Sequence, residues 1–230
     1  LPSDWSSDVC SSDLKLSDLT NRFGDNVLKE TNNYRLVIDN KEDLAGLPQS
    51  VIDAAAEASG EENKWVFTLH KPSWIPFLQY ADNRTLREKL YKAMYMRGNN
   101  DNEYDNKKLV GEIVNLRLQR SKLLGFESFA AYALDNRMAK KTENAIRLLN
   151  TIWKPAIEQA KKEAAELQAL IDREGGDFKL ASWDWWYYTE KLRRAKFSLN
   201  EEALRSYFMM EHVREGVLPK IGRASCRERV

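Results

Sequence analysis

The 230-residue chain carries 36 basic and 35 acidic side chains, for a net charge of +1. That balance exerts no electrostatic pull toward nucleic acid or an anionic membrane, and no apolar run approaches the roughly 18 residues that would span a bilayer. The length suffices for one sizeable core or for parts of two subdomains.

In chain order, the first stretch stands apart. Residues 4–14 read DWSSDVCSSDL, and at the other end residues 221–230 read IGRASCRERV. Both strings match frame translations of short-read library adapters. Residues 1–14 and 220–230 are therefore expected to be non-native and are set aside, with Lys220 partly adapter-encoded. The only cysteines, Cys10 and Cys226, fall inside these strings. The remaining 15–219 then has no disulfide framework and no thiol nucleophile, and discounting the ends leaves the net charge at +1.

The pattern that follows is overwhelmingly helical. Leu16, Leu19, Phe23, Val27 and Leu28 recur at helical steps and predict one apolar stripe. Tyr34 to Ile38 and Lys64 to His70 break that period, are rich in strand formers, and are expected to pair as a small sheet. Between them, Pro48 opens a short alanine-rich helix over Val51 to Ala58. Pro72 and Pro76 predict a bend after the second strand. Helical spacing resumes at Leu86, Leu90, Ala93 and Tyr95 and ends near Gly98. The next helix, marked by Leu109, Ile113, Leu116 and Leu123, stops at Gly125. A long one is expected to start at Thr142 and keep Ala145, Leu149, Ile152, Ala156, Ala160, Ala164, Leu167 and Ile171 on one face up to Gly175-Gly176. Pro155 lies inside it, where the missing amide hydrogen and the ring's pressure on the Thr151 carbonyl predict a kink or short break. The fold class is mainly α with a minor β element.

Candidate chemistry is sparse. A zinc peptidase helix needs two histidines four residues apart, with a glutamate beside the first as base. Only His70 and His212 exist, and His212-Val213-Arg214-Glu215-Gly216 has glycine where an inverted H-x-x-E-H motif needs its second histidine. Asp101, Glu103, Asp105 and Glu112 fall at calcium-loop spacing, but Asn106 replaces the glycine of the sharp turn, so a solvated helix start is expected instead. The stretch 183–199, WDWWYYTEKLRRAKFSL, interleaves aromatic and basic residues as base-stacking surfaces do. Its Trp185, Tyr188, Leu192 and Ala195 follow helical steps, however, and predict a packed aromatic face. There is no P-loop and no G-x-S-x-G elbow, and no nucleophile–base pair can be assembled. No catalytic or metal-ligating residue is assigned.

Three blocks carry a resemblance. Residues 27–58 (VLKETNNYRLVIDNKEDLAGLPQSVIDAAAEA), 64–91 (KWVFTLHKPSWIPFLQYADNRTLREKLY) and 183–199 occur in order. The last is followed by Tyr207-Phe208 and Val213-Arg214-Glu215-Gly216. Together they resemble the thimet-oligopeptidase family of zinc metallopeptidases, and within it the bacterial peptidyl-dipeptidase (dipeptidyl carboxypeptidase) branch, across essentially all of 15–219. The resemblance implies a helical ellipsoid split by a narrow channel with zinc on its floor, admitting only short peptides. It also implies that the zinc helix lies C-terminal to the matched blocks.

The chain is accordingly expected to be the upstream helical part of a zinc metallopeptidase, inactive alone. Zinc is expected in the parent and none on this chain. Short peptides are the expected substrates, with no nucleic-acid partner. The expected location is the cytoplasm, with export as the alternative. A non-enzymatic helical binding or scaffold protein is the competing reading. Helix faces that pack against the rest of the parent should be exposed as apolar patches.

Overall fold

The computed structural model describes residues 3–197, 204 and 206–227. Its first helix, α1 (Ser3–Asn33), begins within the segment set aside above and runs on through the predicted stripe. It lies antiparallel to α5 (Lys107–Leu123): Asp13 pairs with Arg120 near one end, and the Asn26 amide donates to Asn106 at the other, 2.9 Å away. Leu19 packs with Leu109 and Ile113 between these ends. The stripe is only partly covered, since Phe23 and Leu28 stay exposed.

The main core forms around the expected hairpin. β1 (Leu36–Ile38) and β2 (Trp65–Phe67) pair antiparallel, with Val37 opposite Val66. Alternation along β1 turns Leu36 and Ile38 inward and leaves Val37 exposed. Helix α2 (Gln49–Ser59) crosses between the strands, with Pro48 at its N-cap and Gly60 closing it in the left-handed conformation. Phe67 and Phe77 meet edge to face, ring centres 4.6 Å apart, and pack among Leu36, Leu78 and Leu90.

The predicted bend at Pro72 and Pro76 is instead a helix, α3 (Lys71–Tyr80). Pro72 sits in the first turn, where its missing N–H is one of the groups that a helix leaves unpaired. Pro76 costs one further bond, outweighed by burial of Trp74, Phe77 and Leu78. The Ser73 hydroxyl accepts the Thr68 amide at 2.9 Å and ties the helix to its preceding strand.

Helix α4 (Arg84–Tyr95) starts at Asn83, whose side chain accepts the Leu86 amide and donates to Asp43 at 2.8 Å. After α5, a short α6 (Phe129–Asp135) appears that helical spacing alone did not signal. Its marker is Ser128, an N-cap accepting the Ala131 amide. Helix α7 (Thr142–Arg173) is 32 residues long, with Lys141 rather than Thr142 at its cap, and passes through Pro155 without interruption. The residues around Pro155 are exposed, so water can satisfy the Thr151 carbonyl that proline leaves without a donor. Helix α8 (Trp185–Phe197) turns back along the end of α7, burying Leu167 and Ile171 against Tyr187 and Tyr188. Helix α9 (Met210–Arg227) is exposed along 210–221. The mainly helical class with a small β element is thus observed.

Candidate functional site

The most elaborate arrangement of charge lies where the Trp-Asp-Trp-Trp-Tyr-Tyr element meets the α3–α4 corner. Asp184 is fully buried in the 3-10 turn Ser182–Asp184. One carboxylate oxygen accepts from Arg84 Nε and Arg87 Nη2, each at 3.1 Å. The other accepts from Arg84 Nη2 at 3.0 Å and the Ala181 amide at 3.1 Å. Arg87 is itself buried, and its Nη1 donates to the Ala81 and Asp82 carbonyls at 2.7 and 3.0 Å. Those two carbonyls end α3, so one guanidinium joins a helix terminus to a carboxylate 97 residues away.

Aromatic rings wall this cluster. The Arg84 guanidinium lies 4.2 Å from the Phe178 ring centre and that of Arg87 4.1 Å from Tyr187, near enough for cation–π attraction. The Tyr187 hydroxyl donates to Asp82 at 2.7 Å. Burial and that neighbouring carboxylate together raise the Tyr187 pKa above the ordinary phenol value, against the opposing pull of Lys191. Every lone pair of Asp184 that faces a partner is engaged. The group can clamp two segments of chain, but it has no free acceptor with which to take a proton from a substrate.

A second polar knot joins α1 to the α4–α5 connection. The buried Glu30 carboxylate accepts from the Gly98 amide and from the Asn100 and Asn102 amides at 2.9 and 2.7 Å. Burial alone would raise its pKa, but the hydrogen bonds from Asn100, Gly98 and Asn102 outweigh it and hold the group below the usual glutamate value. Gly98 adopts a φ of +73°, and a Cβ there would meet the Asn106 amide nitrogen at 2.8 Å, so glycine is required at this corner.

The residues weighed for chemistry in the sequence are not brought together. His70 is the exposed N-cap of α3 and makes no side-chain capping bond. His212 is exposed on α9 beside Glu215 and Gly216. Among the described residues no group of three or more His, Cys, Asp or Glu could hold a metal ion. The zinc that the resemblance implies therefore finds no ligand set among them, and no reaction step is assigned to these residues. In the acidic loop, Asp101 and Asp105 both pair with Lys107, while Glu112 has moved onto α5.

The 183–199 stretch also resolves as packing, as far as residue 197; Ser198 and Leu199 lie outside the described residues. Its buried face is Tyr187, Tyr188 and Glu190 rather than the full predicted set, since Ala195 is exposed. Arg194 pairs with Glu190, Lys191 with Glu174 and Lys196 with Glu166. Cations already neutralised by neighbouring carboxylates do not make the continuous basic track that a phosphate backbone needs.

One concave surface is large. A cleft of about 840 Å3 between α2, β2 and α3 is lined by Val51, Ala55, Val66, Pro76 and Tyr80, with His70 and the Phe208 ring among its walls. Its lining is mainly apolar, with Ser50, Thr68, Ser73 and Gln79 as further polar members.

Residues 77–223 match the model of peptidase family M3. Oligopeptidase A of Haemophilus influenzae is 37% identical over 216 residues, covering 91% of this chain but 32% of that protein. Oligopeptidase A of Escherichia coli is 37% identical over 200 residues, 84% of this chain and 29% of the relative. Dipeptidyl carboxypeptidase of Escherichia coli is 36% identical over 203 residues, 86% of this chain and 30% of the relative. The chain belongs to peptidase family M3. It spans about a third of the length of these curated relatives, and the resemblance to oligopeptidases and dipeptidyl carboxypeptidases read from the three sequence blocks is borne out. No helix among the described residues is long and apolar enough to cross a membrane.

Proposed function

We propose that residues 15–219 are an upstream helical portion of a zinc metallopeptidase acting on short peptides, and that the zinc helix is encoded further along the same gene. One observation carries this reading: a family M3 match over 77–223 in a chain that spans about a third of the length of its M3 relatives. Zinc bound in the parent would supply Lewis-acid polarisation of a scissile carbonyl and activation of a water; none of the described residues is assigned to hold it. This chain's own contribution is mechanical. The Arg87–Asp184 clamp and the hairpin core hold a rigid helical wall beside which a catalytic domain can be placed. Release of C-terminal dipeptides is the finer assignment, supported by the likeness to dipeptidyl carboxypeptidase. We assign the parent to the cytoplasm.

The test is elemental analysis and a short-peptide cleavage assay on the purified chain. It should hold no stoichiometric zinc and leave the peptide intact. One tightly bound zinc per chain, or turnover that a chelator abolishes, would overturn the assignment of the metal site to another segment.

A further inference from the structure

Helix α7 presents one apolar stripe along its whole length. At 100° per residue, Leu149 and Trp153 fall on the same face as Leu167 and Ile171. Yet the two ends of that face meet different surroundings. Leu167 is 2% exposed and Ile171 0%, both covered by α8. Ile146, Leu149, Ile152 and Trp153 are 50, 65, 53 and 66% exposed. The Lys196–Glu166 pair marks where α8 stops, and the uncovered stretch from Ile146 to Glu163 runs about 27 Å further.

We infer that this stretch is a docking surface for the remainder of the full-length M3 protein, and that its occupant is a helix continuing the layer begun by α8. The inference rests on the function proposed above. Size argues against a second copy of this chain. A single helical stripe about 27 Å long and one side chain wide, about 11 Å, offers roughly 300 Å2, well under half of the roughly 800 Å2 per partner that a stable interface buries. An intramolecular neighbour needs no such area, because the chain connection supplies its effective concentration. The relatives extend to about three times the length of chain matched here, so the neighbour is available.

The test is thiol labelling of this chain and of the full-length protein, each with every native cysteine replaced by serine; in this chain those are Cys10 and Cys226. Leu149→Cys is compared with Glu158→Cys, an exposed position on the opposite face of the helix, about 180° from Leu149, in this chain and in the full-length protein. The thiol introduced at position 149 should react as fast as the one at position 158 in the isolated chain. In the full-length protein it should react about 100-fold more slowly, because labelling there would need local opening. Equal rates for the two positions in an active full-length enzyme overturn the docking surface while leaving the proposed function standing. Protection at position 149 in the isolated chain that grows with protein concentration overturns it in favour of self-association. A full-length protein without peptidase activity removes the proposed function, whatever the labelling shows.

Discussion

Asp184→Ala is expected to destabilise the chain by about 3–5 kcal/mol, because it leaves the Arg87 guanidinium buried without its counter-charge. Arg87 is 1% exposed and Asp184 0%, so water cannot replace the lost carboxylate. For a chain of this size the loss should lower the melting temperature by about 6–20 °C. Lys191→Ala provides the contrast. Its pair with Glu174 is over a third exposed on both sides, and removing it should cost at most about 1 kcal/mol. Urea melts followed by circular dichroism measure both variants. Equal, small effects would mean that the clamp does not hold α8 to the α3–α4 corner.

Phe77→Ala should be of similar size, about 3–5 kcal/mol, through a different mechanism. The ring is fully buried and is met edge to face by Phe67. Truncation loses both transfer energy and packing, and the surrounding Leu36, Leu78 and Leu90 belong to three separate elements that cannot all collapse inward. Phe77→Leu should recover much of the loss, since it refills most of the volume. Scanning calorimetry on the two variants checks the ranking. An alanine variant as stable as the leucine one would place the core elsewhere.

The parts of this architecture that were legible in the sequence share one property: a local signal strong enough to decide the outcome. The strand pair was visible because Tyr34 to Ile38 and Lys64 to His70 interrupt a helical period with β-branched and aromatic residues. The long α7 was visible from its stripe. The α3 helix was misjudged because two prolines look like breakers, whereas burial of Trp74, Phe77 and Leu78 outweighs the one bond Pro76 forfeits. The uninterrupted passage through Pro155 was missed for a related reason, since solvent repairs a defect on an exposed face.

Long-range electrostatics were not legible at all. Asp184 stands among aromatics and gives no sign that its partners are Arg84 and Arg87, about a hundred residues earlier. Nor does Glu30 announce that its three donors come from residues 98 to 102. Spacing rules speak only for neighbours on one element. The sequence stretch richest in unusual residues, 183–199, proved to be the place where two such distant segments are fastened together.

We propose that the zinc chemistry belongs to this gene and not to this stretch of it. Amplifying and sequencing the source genome across the codon for Pro219, with primers outside the adapter-like strings, addresses it directly. An open frame that runs on past Pro219 into an H-E-x-x-H codon pattern is the predicted result. A stop codon immediately beyond the matched region would contradict it, leaving a member of the M3 family without a catalytic centre.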